Sequence, residues 1–336
     1  MRSVLATITR VEGSAYRKEG ASMLFLEDGS QVGLLSAGCL EAHLSSFVPE
    51  IVATGRSRSF VFDMQSPELL SWGEDTGCGG VIHIIMEPID AAFADHLSTL
   101  KHYLYQPTEV LLVKRFDADG SVADYCFLTK DGHRFGEWRG DFPQTLLNLL
   151  SSELEHNGKS GMRVVPSLQS EVFVHLYYPK PRLILIGAGP DARPVAALAA
   201  AAGFSVTVSD WRAALCDRRY FPDAETILVG FPEEAAPLLP STPYDYAVVM
   251  TRNMERDRQW VRLLAGRPLR YLGIMGAKSR TERLLADVPV PMKVHYPVGL
   301  AIGAEGPEEI AVSIAAELIQ VHGKTRKQEP VAHETE

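Results

Sequence analysis

The sequence predicts an α/β protein with a C-terminal Rossmann-like domain, built on a parallel sheet, and an N-terminal mixed α+β domain. Residues 183–186 form a short, uniformly apolar run, which is typical of a strand covered on both faces. From there the chain alternates between strand-like and helix-like segments, as a parallel sheet requires. The preceding part contains hairpin signals instead, which indicate antiparallel pairing. The 336 residues of the chain suffice for two domains that each bury a core.

The N-terminal domain is predicted from apolar spacing and turn residues. Apolar residues recur at helical spacing from Leu40 to Val52, and Gly55 is expected to end that helix. Residues 27–30 and 117–120 have the composition of hairpin turns. The other predicted elements are strands at 4–11, 22–26, 31–35, 57–62, 81–86, 109–115, 121–129 and 172–177, and helices at 89–105 and 146–154.

Two prolines, Pro179 and Pro181, mark the boundary between predicted domains at 1–178 and 179–323. The C-terminal domain repeats a strand followed by a helix. The polar tail, residues 324–336, is expected to be disordered. The strands of this domain are predicted at 183–186, 205–210, 225–229, 246–250 and 271–275, and its helices at 195–202, at 233–239, after Asp257 and at Pro307.

A glycine-containing turn after the first strand of this domain carries the strongest functional signal. Gly187, Ala188, Gly189 and Ala192 give the pattern G-x-G-x-x-A, which permits a tight turn and close approach of a phosphate to the backbone. The free amides and positive dipole end of the next helix would face that phosphate. Asp210 ends the second strand, where dinucleotide-binding folds place a carboxylate on a ribose hydroxyl. The alternative is a turn that merely joins strand to helix.

Polar residues follow two later strands of the same domain. Arg252 follows one strand, and Gly276, Lys278 and Arg280 follow the next. Open α/β sheets bind ligands at the carboxyl ends of their strands, so these residues are candidates for binding an anionic ligand. Solvated charges at helix starts are the alternative. Glu305, in the loop before the last helix, has no such structural explanation and is a further candidate.

Two of the four cysteines are candidates for chemistry. Cys39 lies at the predicted N-terminus of a helix, where the helix dipole stabilises a thiolate, and Glu41 follows two residues later. Cys78 is flanked by glycines, which let a ligand approach the backbone. Cys126 and Cys216 are predicted to be ordinary buried side chains.

Composition and charge argue against several classes of function. The net charge of −9 argues against a nucleic-acid surface. No apolar run reaches membrane-spanning length, and no basic-then-apolar signal begins the chain. The cysteines form no C-x-x-C pair, so neither a disulfide framework nor a zinc finger nor another metal site is indicated. Reduced thiols of this kind fit a cytoplasmic protein.

Seven motifs give the chain a resemblance to the XdhC/CoxI family, the accessory proteins of xanthine dehydrogenase and related molybdenum hydroxylases. The resemblance runs from Val4 to about His322. The residues at 12–20 are similar to the family's E-G-S-x-P-R-K-x-G, although Tyr16 replaces the proline. The other matching segments are 36–41, in which Ala37 replaces a glycine, 77–80, 187–192, 271–276, 297–305 and 308–317.

The resemblance implies a cytoplasmic homodimer that binds the molybdenum cofactor, a molybdopterin compound, and delivers its sulfurated form to an apo molybdenum hydroxylase of the xanthine dehydrogenase type. It further implies a link to purine catabolism, and a cysteine desulfurase as a second partner. Cys39 and Cys78 would then handle sulfur or the metal–dithiolene end, while the glycine turn holds the terminal phosphate of the pterin or a nucleotide portion. Arg252 stands where many members have histidine, and an arginine fits phosphate better than proton transfer.

Two other functions are compatible with the same residues. An NAD(P)-dependent oxidoreductase would use Asp210 to bind the ribose. A non-catalytic scaffold would leave the turn empty, because fold does not dictate function. Some family members are described as xanthine dehydrogenase itself, but this chain lacks the cysteine motifs of iron–sulfur clusters and is too short for that enzyme.

Overall fold

A computed structural model describes residues 2–327 of the chain, apart from 37, 65–79, 156–157, 169, 240, 287 and 289–290. The chain divides into two compact units, Met1–Tyr178 and Pro179–Glu336. The first unit is built on antiparallel sheets and the second on a parallel sheet, so the predicted fold class is confirmed.

The first unit contains two five-stranded antiparallel sheets, with strand orders β3-β2-β1-β5-β4 and β8-β7-β6-β10-β9. Helices α1 and α2 pack on the first sheet, whereas α3 and α4 lie on opposite faces of the second. The elements are β1 (Ser3–Glu12), β2 (Ser22–Leu26), β3 (Gln31–Gly33), α1 (Cys39–Ser45), α2 (Val48–Thr54), β4 (Arg58–Asp63), β5 (Val81–Pro88), α3 (Ala91–Leu104), β6 (Val110–Phe116), β7 (Val122–Thr129), β8 (Arg134–Glu137), α4 (Gln144–Glu155), β9 (Gly161–Val165) and β10 (Ser170–Tyr177).

The second unit contains a six-stranded parallel sheet with the order β13-β12-β11-β14-β15-β16, which is the Rossmann order. Helices cover both of its faces, α5 and α9 on one face and α6, α7 and α8 on the other. The elements are β11 (Arg182–Ile186), α5 (Ala192–Ala201), β12 (Ser205–Asp210), β13 (Thr226–Val229), α6 (Pro232–Ala235), β14 (Asp245–Val249), α7 (Met254–Ala265), β15 (Tyr271–Ile274), α8 (Lys278–Leu285), β16 (Val294–His295) and α9 (Gly306–Lys327).

Strand β11 explains why the sequence of this unit is so apolar at its centre. Leu183 and Leu185 pack into the core on one face of the sheet, and Ile184 and Ile186 pack into the core on the other. All four side chains are fully buried, because helices cover both faces. Strand β11 lies between β12 and β14, so the glycine turn that follows it lies at the middle of the sheet's carboxyl edge.

The structure departs from the predicted elements at two helices, and it contains three strands and one helix that were not predicted, namely β8, β9, β16 and α8. The helix predicted from Leu40 to Val52 is two helices, α1 and α2, because Pro49 lies in the first turn of α2 and cannot continue a preceding helix. Gly55 ends α2 in the left-handed conformation, at φ 64°, as predicted. Helix α9 continues to Lys327, so residues 324–327 are helical rather than disordered. Residues 328–336 lie outside the described residues.

Candidate functional site

The turn between β11 and α5 is tightly packed against its own sheet. Gly187 has a φ of 119°, and a Cβ there would lie 2.7 Å from the Met250 carbonyl oxygen. Its amide donates to the Ser209 carbonyl at 2.8 Å. The amide of the buried Ala188 donates to Asp210 Oδ2 at 2.7 Å. Two amides of the turn are therefore used within the protein, and Gly187 is required by close packing.

The space beside Gly189 is occupied by the carboxylate of Asp191. A Cβ on Gly189 would lie 2.6 Å from Asp191 Oδ1. The other carboxylate oxygen accepts a hydrogen bond from Arg252 Nε at 3.0 Å and lies 3.0 Å from Arg252 Nη2. Arg252 adopts the left-handed conformation at φ 63°, which is uncommon for a residue other than glycine, and its side chain is 70% exposed. An acidic side chain thus lies where the sequence predicts a phosphate.

Some anion-binding capacity remains at this turn. Within the described part of the chain, the amides of Gly189 and Asp191 have no hydrogen-bond partner. Both precede the first residue of α5, so the positive end of the helix dipole adds to their attraction for an anion. The Arg252 guanidinium is paired with the Asp191 carboxylate, which lies against Gly189.

Asp210 is buried and fully engaged by neighbouring donors. Besides Ala188, it accepts from the amide of Arg212 at 2.9 Å and from Arg212 Nε and Nη2 at 2.9 and 2.7 Å. Burial alone would raise the pKa of Asp210, but the hydrogen bonds from Arg212 and Ala188 outweigh it and hold the pKa below its usual 3.8. Its role in the structure is to fasten the end of β12 to the glycine turn.

A buried carboxylate on α7 connects the loop that follows β14 with helix α8, which follows β15. Asp257 Oδ1 accepts from the amide and hydroxyl of Thr251, at 3.2 and 2.5 Å. Asp257 Oδ2 accepts from Arg280 Nη2 at 2.5 Å. Gly276 lies under Arg280, since a Cβ there would be 3.2 Å from Arg280 Cδ. Asp257 thereby fixes the segment that presents Arg252 at the carboxyl edge of the sheet.

Lys278 and Glu305 are exposed, in contrast to these buried groups. Lys278 begins α8, and its ammonium lies 3.9 Å from Glu282. The Glu305 amide donates to Glu309 Oε2 at 2.7 Å, immediately before α9. Their roles as ligand contacts therefore stay predictions.

Another buried carboxylate, Glu317 of α9, organises the loop after β16. It accepts from Tyr271 Oη at 2.5 Å and from the Gly299 amide at 2.7 Å, and lies 2.6 Å from His295 Nδ1. Burial alone would raise the pKa of Glu317, but these hydrogen bonds outweigh it and the pKa is lowered. The loop that leads to Glu305 is thus fastened to the core at its start.

In the N-terminal unit, Glu41 builds the turn that leads into α1. Its carboxylate accepts from the amides of Leu35 and Ser36, at 2.9 and 2.6 Å, and from the Ser36 hydroxyl. The Ser36 oxygen in turn accepts from the amides of Gly38 and Leu40, each at 3.2 Å. Although burial opposes it, these bonds hold the pKa of Glu41 below its usual value. Glu41 is therefore a buried anchor of the segment that carries Cys39.

The four cysteines differ in their placement and burial. The backbone of Cys39 begins α1, as predicted. Cys78 lies outside the described residues. Cys126 and Cys216 are buried free thiols, and burial raises the pKa of each to about 11, so both suit the structural role predicted for them.

The comparisons with known proteins agree with this architecture. A model described as the XdhC Rossmann domain matches residues 183–318, and models described as "XdhC and CoxI family" and "BH1974-like, central domain" match residues 2–63 and 91–178. A probable xanthine dehydrogenase subunit of Bacillus subtilis is 41% identical over 319 residues, which cover 95% of this chain and 92% of that protein. The chain belongs to the XdhC and CoxI family.

Two further proteins resemble this XdhC-family chain. The crystal structure of BH1974 from Bacillus halodurans, described as a xanthine dehydrogenase, superposes with a TM-score of 0.84 at 40% identity and covers 99% of this chain and 94% of its own. The molybdenum cofactor insertion chaperone PaoD of Escherichia coli is 33% identical over 91 residues, or 27% of each chain.

Three carboxylates that organise the site of this XdhC-family chain are not among the predicted site residues. Asp191 has the position of a helix cap, and Asp257 that of an ordinary acid in a first helical turn. Glu317 lies inside a motif that carries the family resemblance, which is the one signal for it. In the described residues, no cluster of three or more metal-ligating side chains occurs, and no helix is long and apolar enough to span a membrane.

Proposed function

We propose that this chain binds molybdenum cofactor as cargo and assists its sulfuration and insertion into a molybdenum hydroxylase of the xanthine dehydrogenase type. The observation that carries the proposal is the anion site formed by the free amides at Gly189 and Asp191 together with Arg252. Membership of the XdhC and CoxI family supports it, as does similarity to an Escherichia coli protein described as a molybdenum cofactor insertion chaperone.

The anion site suits the terminal phosphate of the pterin cargo. A phosphate accepts hydrogen bonds from backbone amides at a helix N-terminus and from a guanidinium. Asp191 occupies that position and neutralises Arg252, so it acts as a placeholder when no cargo is bound. A phosphate bound at this turn would lie next to the Asp191 carboxylate, and the two negative charges would repel each other. Binding of the cargo therefore requires the Asp191 side chain to turn away.

The cysteine motifs supply the second half of the proposal. Cys39 and Cys78 are assigned to the sulfur or metal–dithiolene end of the cargo, for which thiolates are suitable soft ligands. Glu41 acts as a positioning residue, because its carboxylate holds the turn that precedes Cys39. An apo hydroxylase is the proposed receiving partner, with a cysteine desulfurase as the proposed sulfur source and a homodimer as the proposed assembly.

An NAD(P)-dependent oxidoreductase is not the function that we propose. That function needs Asp210 to accept hydrogen bonds from ribose hydroxyls. The Asp210 carboxylate is buried and already accepts from Ala188 and Arg212. Release of these bonds would remove one of the hydrogen bonds that join the glycine turn to the end of β12.

Substitution of Arg252 by glutamine is expected to weaken retention of molybdenum cofactor about tenfold or more, because a hydrogen bond to a charged group contributes about 1.5–3 kcal/mol. Asp191→Ala is expected to have the opposite effect and to tighten retention, since it removes the competing carboxylate. The measurement is molybdenum and pterin content after gel filtration of protein incubated with the cofactor. Arg219→Gln is the control, because Arg219 forms a similar exposed ion pair with Asp217 at 3.0 Å. Unchanged retention in both site variants would remove the turn from the proposal.

A further inference from the structure

Aromatic and guanidinium side chains gather next to the glycine turn, at the carboxyl ends of β12 and β13. Trp211 follows β12 directly, and Phe231 lies two residues after β13. Arg256, from the first turn of α7, lies 5.9 Å from the centre of the Trp211 ring and 4.6 Å from that of Phe231. The guanidinium of Arg212 also lies close to Trp211, 4.5 Å from the centre of its ring.

Arg256 differs from the other two arginines at this edge. Arg212 pairs with Asp210, and Arg252 pairs with Asp191. Arg256 donates to the Gln259 side chain at 2.7 Å, and no carboxylate of the described residues lies within 4.0 Å of its guanidinium. Arg256 is thus not paired with an aspartate as the other two arginines are, and its guanidinium lies close to two aromatic rings.

Phe231 is exposed over 42% of its surface, although it is a large apolar side chain at the edge of a sheet. Trp211 is half-buried. An exposed ring beside a guanidinium plane is the kind of surface on which a nucleobase stacks. The rings are also connected to the anion site, because Asp210, next to Trp211 in the chain, accepts from the Ala188 amide at 2.7 Å.

We infer that Trp211, Phe231 and Arg256 bind the planar base of a nucleotide whose phosphate group occupies the anion site at Gly189. The inference rests on the proposed role of that turn. It adds a ligand class: a nucleotide, held at its phosphate by amides and Arg252 and at its base by stacking. The nucleotide is either a free one or a nucleotide carried by the pterin cargo, and the two share the same base and phosphate chemistry.

Calorimetric titration of the full chain with inorganic pyrophosphate, CMP, GMP, AMP and NAD tests this inference. We expect at least one nucleotide to bind more tightly than pyrophosphate. Trp211→Ala and Phe231→Ala are each expected to raise the Kd for that nucleotide about fivefold to 100-fold and to leave the Kd for pyrophosphate unchanged. Tighter binding of a mononucleotide than of NAD assigns the site to cargo, whereas the reverse order assigns it to a free dinucleotide.

Val229→Ala is the control, since Val229 is an exposed apolar residue at the end of β13 that contacts neither ring of the cluster in any described interaction. Circular dichroism of each variant verifies its fold, and two independent ring variants keep the test valid if one fails to fold. Nucleotide binding that is unchanged in both, or no tighter than pyrophosphate binding, overturns the stacking site and leaves the anion site standing. If neither pyrophosphate nor any nucleotide binds, the anion site and the stacking site are both wrong.

Discussion

Replacing Asp257 with alanine is expected to lower the free energy of unfolding by about 3–5 kcal/mol, because it leaves a partly buried arginine without its partner. The Asp257 carboxylate is fully buried and accepts from Thr251 and Arg280. Thr251 lies in the loop after β14 and Arg280 lies in the first turn of α8, so loss of these contacts also loosens the segment that presents Arg252. Urea denaturation measures the change in stability.

The control for Asp257 is Glu255→Ala in the same helical turn. Glu255 is exposed, so its loss is expected to change the free energy of unfolding by no more than about 0.5 kcal/mol. Asp257→Asn keeps an acceptor for Thr251 but loses the charge that pairs with Arg280. Its free energy of unfolding is expected to lie between those of the Asp257→Ala and Glu255→Ala proteins. Equal stability of the Asp257→Ala protein and the Glu255→Ala protein would show that the buried carboxylate does not hold the loop after β14 to helix α8.

Replacing Glu41 with alanine is expected to lower the free energy of unfolding by about 2–4 kcal/mol, because buried donors lose their acceptor. The donors are the amides of Leu35 and Ser36 and the Ser36 hydroxyl. Since this network precedes Cys39, we also expect a loss of cofactor retention. The matched control is Glu50→Ala, which removes an exposed ion pair with Arg58.

The Glu41 contribution has a defined pH dependence. Its pKa in the folded protein is lower than its usual 4.5, so the stabilisation is fully present above that value and is lost as the pH falls through the lowered pKa. Denaturation of the wild type and of Glu41→Ala should therefore converge in midpoint as the pH is reduced below 4.5. A difference that stays constant down to strongly acidic pH would contradict an ionised carboxylate in this turn.

The fold was predictable because its signals are local. An apolar run of four residues indicates a strand whose side chains, such as Leu183 and Ile184, alternate between two cores. Gly187 indicates the tight turn that follows this strand. The break between α1 and α2 depends on Pro49. The apolar residues keep their helical spacing across this break, so their pattern alone predicts one continuous helix.

The site was less predictable, because its chemistry depends on pairs that are distant in the chain. The glycine pattern indicates where a backbone can approach a phosphate, but it does not indicate that Asp191 fills that space. That placement depends on Arg252, which β14 brings back to the turn. Likewise, the predicted ribose ligand Asp210 accepts a hydrogen bond from the Ala188 amide, and only the folded turn brings these two residues together.

The most direct test of the proposed function is transfer of molybdenum to a hydroxylase. Purified chain is loaded with molybdenum cofactor, freed of unbound cofactor and mixed with an apo hydroxylase of the xanthine dehydrogenase type, and metal content and activity of the separated hydroxylase are measured. We expect the loaded wild type to yield active, molybdenum-containing hydroxylase, and the Arg252→Gln protein to yield much less. A chain that retains no cofactor, or a hydroxylase that gains equal activity from the same cofactor without the chain, would contradict the proposed function.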